Sequence, residues 1–208
     1  MLLSNDGKDA NNKRDHNAIS RRTFLVASGA GAIALVWSHF QARQPVHAAQ
    51  AAAGLPTTVT IVNFSDAGVR QDTVTVSTIV KSEDEWRKQL SRDSYEIMRE
   101  AGTEYPYTNE NPNNHASGVF RCMGCATALF DAATKFDSGT GWPSFYQPIA
   151  KENVLETADH SLGIERTAVS CRRCDAHLGH VFDDGPAPTG LRYCMNSVAM
   201  KFAKAPAA

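Results

Sequence analysis

Between residues 57 and 80 the chain alternates at period two. Thr58-Val59-Thr60-Ile61-Val62 and Thr73-Val74-Thr75-Val76-Ser77-Thr78-Ile79-Val80 are rich in β-branched residues, and Asp66-Ala67-Gly68 lies between them. The pattern predicts two strands joined by a turn. The period then lengthens. Ser82-Glu83-Asp84-Glu85 is a capping-box pattern that opens a helix through Leu90, with Trp86 and Leu90 on one face. A second short helix is expected over 93–101, with Tyr95, Met98 and Ala101 in register and Gly102 as its stop. After 103 the helical period disappears. Val119-Phe120, Ala128-Leu129-Phe130, Val154-Leu155, Thr167-Ala168-Val169, His180-Val181-Phe182, Leu191-Arg192-Tyr193 and 198–202 are short apolar pieces separated by Gly, Pro and Asn. This predicts a mainly β, antiparallel small domain with one or two short helices in front and a frayed tail over 204–208.

Residues 1–50 follow a different pattern. A polar stretch leads to Ser20-Arg21-Arg22-Thr23-Phe24-Leu25, then to an uncharged apolar run ending near Trp37, then to small residues around Ala48, Ala51 and Ala53. The apolar run is too short to span a bilayer. A charged start, a short apolar middle and an Ala-rich end read as a cleaved signal peptide. The adjacent arginines with Phe two residues on resemble the twin-arginine export signal, which carries folded proteins. A buried helix preceded by two arginines is the competing reading. The export reading places the mature protein in the periplasm.

Charge narrows the function classes. The 208 residues carry a formal net charge of −1, and without residues 1–50 the remainder stands at −4. A nucleic-acid partner, which needs a basic face, is not expected.

The chain has five cysteines, four of them in Cys122-Met123-Gly124-Cys125 and Cys171-Arg172-Arg173-Cys174. Two CxxC turns together supply the four thiolates of a tetrahedral zinc shell. Forty-five residues separate the pairs, so the turns would come from distant hairpins that one Zn2+ pins together. Disulfide pairing or a redox-active CxxC are the alternatives. A filled shell of four cysteines leaves no open position, so the expected zinc is structural.

The fifth cysteine, Cys194, lies in Gly190-Leu191-Arg192-Tyr193-Cys194-Met195-Asn196-Ser197. On a strand, Arg192, Cys194 and Asn196 would share one face, and a cation and an amide beside a thiol favour the thiolate. A buried, inert cysteine is the plain alternative. His177-Leu178-Gly179-His180 places two histidines three apart, where a bulge at Gly179 could turn both to one side as acid and base; a satisfied hydrogen-bonded residue or a zinc ligand are the alternatives, the latter disfavoured by a shell already filled with thiolates. Trp142, between Gly141 and Pro143, sits on a constrained loop. It is either core packing or an aromatic wall for an apolar group such as an S-methyl.

These segments together resemble one family. Glu85-Trp86-Arg87-Lys88-Gln89-Leu90, the stretch Thr134-Lys135-Phe136-Asp137-Ser138-Gly139-Thr140-Gly141-Trp142-Pro143-Ser144-Phe145, then Ala176-His177-Leu178-Gly179-His180-Val181-Phe182, and finally 190–197 are similar to the B-type peptide methionine sulfoxide reductases, in that family's order. The resemblance spans about 83–202. It implies a fold of two antiparallel β-sheets and reduction of methionine R-sulfoxide in proteins. It implies Cys194 as nucleophile, His177, His180 and Asn196 around the sulfoxide, and Trp142 against the methyl. It also implies Cys122, Cys125, Cys171 and Cys174 as ligands of a structural Zn2+. The partners expected are oxidised methionine-containing proteins and an external thioredoxin-like thiol reductant, acting on a monomer. The corresponding domain bounds are 51–81 for an N-terminal extension and 82–203 for the catalytic domain. One position departs from the pattern: Thr140 stands where many members carry a resolving cysteine. A redox sensor built on Cys194, or a zinc-stabilised binding module, are the rival classes.

Overall fold

The computed structural model describes residues 56–207 apart from 110, 162 and 164. The export-signal reading of 1–50 therefore lies outside the described residues. Among the described residues, no helix is long and apolar enough to cross a membrane.

The chain opens with an antiparallel hairpin, β1 (Thr58–Phe64) and β2 (Arg70–Ser77), in the register Val59↔Val76 and Ile61↔Val74. Val62 and Phe64 of β1 pack on Val119, Ala128 and Ala150, while β2 is largely exposed. β2 stops at Ser77, short of the alternating run. The next residues turn away, and the Ile79 N–H bonds the Arg173 carbonyl at 2.8 Å.

Both expected helices form. In α1 (Glu83–Gln89) the Ser82 side chain accepts from the Glu85 N–H and the Glu85 carboxylate accepts from the Ser82 N–H, the reciprocal capping box. In α2 (Arg92–Glu100) Ser91 caps the start. Its end differs from expectation by one residue. Ala101, not Gly102, takes the left-handed conformation at φ 54°, and the Gly102 N–H closes onto the Glu96 carbonyl. The Ala101 N–H reaches the same carbonyl, so both residues close the last turn onto Glu96 and end the helix there.

Nine further strands make two antiparallel sheets. One is three-stranded, ordered β11 (Met200–Lys204), β3 (Gly118–Cys122), β4 (Ala128–Asp131). The other is six-stranded and ordered β5 (Lys135–Phe136), β6 (Ser144–Phe145), β10 (Arg192–Met195), β9 (His177–Phe182), β8 (Arg166–Cys171), β7 (Val154–Asp159). The mainly β, two-sheet expectation is met, with the hairpin as a third, separate sheet. Lys204, expected to begin a frayed tail, is the last residue of β11, and the Ala205 N–H still bonds the Ser117 carbonyl. Aromatic rings join the two large sheets. Phe130 stacks on Phe145 at 4.5 Å between centroids, and Phe120 meets Phe145 edge-on at 5.0 Å. Tyr193 and Met195 of β10 point into this core. Alternation along the strand therefore sends Arg192 and Cys194 to the opposite, outer face.

One buried amide fastens the hairpin to the domain. The Asn153 Oδ1 accepts from the Val62 N–H at 2.7 Å, and its Nδ2 donates to the carbonyls of Val62 and Ala128, both at 2.8 Å. Asn153 is fully buried, so truncation strands three backbone groups away from water. Asn153→Ala is expected to lower unfolding free energy by about 3 kcal/mol, read as a fall in the urea midpoint.

Candidate active site and four-cysteine cluster

The two CxxC turns are built alike. In the first, the Cys122 N–H bonds the Thr127 carbonyl and the Ala126 N–H bonds the Cys122 carbonyl. In the second, the Cys171 N–H bonds the Ala176 carbonyl and the Asp175 N–H bonds the Cys171 carbonyl. Ala126 and Asp175, each just after its second cysteine, both adopt positive φ, 60° and 54°. The first turn joins β3 to β4 and the second joins β8 to β9, so each large sheet presents two thiols to the other. The four sulfurs lie within 4.8 Å of one another, with Cys122–Cys174 at 3.6 Å and Cys125–Cys171 at 3.5 Å. A tetrahedron of sulfurs about 2.3 Å from a zinc has edges of about 3.8 Å, so the set fits that ion. None of the five cysteines is joined in a disulfide in this structure, and a four-way cluster suits one shared cation better than two pairs. Interaction with Cys122 drives Cys125 far below an ordinary thiol, and Cys122 is pushed well above it. Such a cluster favours a cation that neutralises thiolates together.

The helices grip these turns. Gln89 Nε2 donates to the Gly124 carbonyl at 2.6 Å, and Arg99 donates to the Cys174 carbonyl at 2.9 Å. The Arg99 guanidinium also lies over the Trp86 ring.

The fifth thiol stands on the outer face of the six-stranded sheet. Cys194 of β10 pairs directly with His180 of β9 and with Ser144 of β6. β9 carries the bulge that Gly179 allows. Val169 opposes Gly179 and Ser170 opposes His177, leaving Leu178 as the extra residue. The bulge turns both histidines to one side, their rings 5.2 Å apart and edge-on. It also needs glycine, because a Cβ at Gly179 would collide with the Cys194 carbonyl oxygen. His180 Nε2 lies 2.7 Å from Asp159 Oδ2, which also accepts from Arg166 at 2.7 Å. Burial holds His177 down to about 4 and lowers His180 as well, so both rings are neutral at neutral pH. The Nε2 of His177 is buried with no hydrogen-bond partner among the described residues. A cleft of about 700 Å3 opens over β7 and β8 and is lined by both histidines, Asp159, Arg166 and Met98.

Around the thiol, Arg192 makes a two-pronged pair with Asp184 at 2.8 Å and covers the Phe182 ring. Thr140 Oγ1 lies 4.0 Å from Cys194 Sγ, and a chain of hydroxyls runs from Thr140 through Ser138 to Ser144. Burial nevertheless pushes the Cys194 thiol up, against the opposing pull of Arg192, Thr140 and Ser144. The sequence-based expectation of a favoured thiolate is thus outweighed by desolvation. Trp142 is half-buried outside the core, its indole N–H donating to the Glu104 carbonyl at 3.1 Å. Asn196 lies just past β10 and is buried. Its Oδ1 accepts from the Glu104 N–H and its Nδ2 donates to the Leu178 carbonyl, each at 3.0 Å. The structure therefore brings Cys194, His177, His180 and Asn196 around the β9–β10 register, with Trp142 joined through Glu104.

Comparison with known proteins gives the family of the chain. A SelR domain matches residues 90–204. The peptide methionine sulfoxide reductase MsrB of Pseudomonas putida (strain GB-1) is 54% identical over 122 residues, 59% of this chain and 93% of that protein. The protein of the same name from Bradyrhizobium diazoefficiens is 51% identical over 123 residues, 59% of this chain and 88% of its own length. The peptide methionine sulfoxide reductase B1, chloroplastic, of Oryza sativa subsp. japonica is 54% identical over 124 residues, 59% of this chain and 58% of that one. The chain belongs to the B-type peptide methionine sulfoxide reductases.

Within this reductase, two polar residues at the site escaped the sequence reading. Asp159 fixes His180 across the sheet. Glu104 is a junction: besides its backbone bonds to Trp142 and Asn196, its carboxylate accepts from the N–H groups of Ser197 at 2.5 Å and Val198 at 3.2 Å. It thereby caps the single turn Ser197–Ala199 that follows the Cys194 strand. The family motifs flank both residues, but only the folded chain shows what they hold. Glu104→Ala is expected to lower kcat/KM about ten- to a hundredfold, because loss of the carboxylate's bonds to Ser197 and Val198 loosens the turn beside Asn196 and the Cys194 strand, with helix and strand content by circular dichroism unchanged. Glu104→Gln, which keeps one acceptor oxygen, is expected to recover part of that loss.

Proposed function

We propose that this reductase repairs exported proteins by reducing the R epimer of their methionine sulfoxides, with Cys194 as nucleophile. The observation that carries the reading is the unpartnered, buried Nε2 of His177 beside His180, next to the half-buried thiol of Cys194. A polar atom left orphaned in a closed site marks a place where substrate supplies the missing partner. The sulfoxide oxygen is such a partner, and Trp142 offers an apolar face for the methyl.

In the resting site the thiol holds its proton and both histidines are neutral. Cys194 sulfur attacks the sulfoxide sulfur while the thiol proton passes, through a histidine, to the sulfoxide oxygen. The S–O bond breaks, the oxygen transfers to Cys194, and methionine departs. The product on the protein is a sulfenic acid, reversible on the oxidation ladder. No other cysteine can resolve it without dismantling the four-thiol cluster, and Thr140 occupies the near position. Two external thiols therefore return Cys194 to the thiol, releasing water and leaving the donor as a disulfide. In the periplasm that donor is a thioredoxin-like carrier.

Cys122, Cys125, Cys171 and Cys174 would hold one Zn2+ that cross-links the two sheets and, having no open coordination position, supplies no acid or nucleophile. The segment Ser20-Arg21-Arg22-Thr23-Phe24-Leu25 and the apolar run after it support export by the twin-arginine route after folding, which lets metal enter where thiols are reduced. We read the mature protein as residues from about 51 onward, acting as a monomer with no nucleic-acid partner.

The test is an epimer-resolved turnover assay with a methionine-sulfoxide peptide and a small dithiol. The expected result is consumption of the R epimer alone by the wild type and of neither by Cys194→Ser. Turnover by Cys194→Ser, or loss of the S epimer, would count against the proposal.

A further inference from the structure

We propose that Tyr105 and Tyr107 form an aromatic lip that receives the residue flanking methionine sulfoxide in a polypeptide substrate, an inference that rests on the function proposed above. The two are the most exposed large hydrophobic side chains among the described residues, at 82% and 66%. Their loop is nonetheless tied down on several sides. The Glu104 N–H bonds Asn196 Oδ1 at 3.0 Å, and the Glu104 carbonyl receives the Trp142 indole N–H at 3.1 Å. The Tyr107 N–H bonds the Gly141 carbonyl at 2.9 Å, and the Tyr107 hydroxyl donates to the Gly139 carbonyl at 2.5 Å.

The backbone is strained to make this arrangement. Tyr107 stands at φ 61°, a region that bulky residues avoid. Gly141, the neighbour of Trp142, stands at φ 87°, where a Cβ would meet Pro106 and the Tyr107 ring at 2.7 Å. Pro106 and Tyr107 thus lie directly on the chain that presents Trp142. Strain and exposure at one place, beside reacting groups, mark a segment kept for recognition. A methionine sulfoxide within a polypeptide brings neighbours within about 3.5 Å of chain per residue, close enough to meet a surface bordering Trp142.

The lip also has a chemical preference. Tyrosine faces attract apolar and cationic groups. Asp137, whose carboxylate accepts from the Gly139 N–H in the same loop, repels acidic ones. The fitting substrate is an exposed or unfolded stretch with an apolar or basic residue beside the oxidised methionine.

The experiment compares kcat/KM for a blocked single methionine R-sulfoxide with that for pentapeptides carrying Phe, Lys or Glu beside it. The wild type is expected to favour the Phe and Lys peptides over both the blocked residue and the Glu peptide. Tyr105 bonds Thr108 through its backbone carbonyl, a bond that Tyr105→Ala keeps. In that variant the advantage is expected to shrink roughly three- to tenfold, the scale of one aromatic contact. Tyr107→Phe, which keeps the ring and loses the tie to Gly139, is expected to retain most of it. An unchanged Phe-to-Glu ratio in Tyr105→Ala overturns the lip while leaving the reductase intact. A wild type that turns over none of the substrates overturns the function itself, and the lip with it.

Discussion

The meeting of four sulfurs is the constraint on which the rest of the molecule depends. Two turns of near-identical backbone, 45 residues apart, close on one point. One belongs to the three-stranded sheet and the other to the six-stranded sheet, so the relative placement of the sheets is set at that point. The helices sit on the same turns through Gln89, Arg99 and Trp86. A further bond runs from the Met123 N–H, inside the first turn, to the Ala199 carbonyl at 2.9 Å. Ala199 ends the turn of helix that Glu104 caps just beyond Cys194. A continuous set of hydrogen bonds therefore links the thiol cluster to the strand carrying the fifth thiol. Support of this kind, one step behind the reacting atoms, is what holds a reactive group within reach of its partners.

At the other end of that set, burial decides the chemistry. It raises the Cys194 thiol and lowers both histidines. The resting site is neutral, with its proton on sulfur and unprotonated rings nearby. In the proposed mechanism a sulfoxide entering it brings the oxygen that accepts this proton, so attack at sulfur and protonation of oxygen become coupled parts of one event. Asp159 and Asp184 keep their charge one step away from the reacting atoms, each neutralised by an arginine. This lets His180 and Arg192 be oriented without leaving an uncompensated charge in the site.

The sequence made the repeating and local features legible. The Ser82 capping box, the two CxxC turns and the glycine that permits the β9 bulge are each encoded within a few residues, and each forms as expected. Asn153, Glu104 and Asp159 were not legible, because their meaning lies in partners far along the chain. Asn153 reaches Val62 across 91 residues, and Glu104 reaches Asn196 across 92. No periodicity marks such pairings. The end of α2 at Ala101 is set by local closure of the chain onto Glu96, whereas the Cys194 expectation is reversed by desolvation, which only the folded chain supplies.

The most direct measurement is a single turnover without any reductant. Stoichiometric protein is mixed with methionine R-sulfoxide peptide, the methionine released is counted, and the cysteines are mapped after trapping with a sulfenic-acid reagent. The account predicts one methionine per chain and label on Cys194 alone, with the four clustered thiols untouched. Repeated turnover without added thiol, or label on Cys125 or another cluster cysteine, would contradict it.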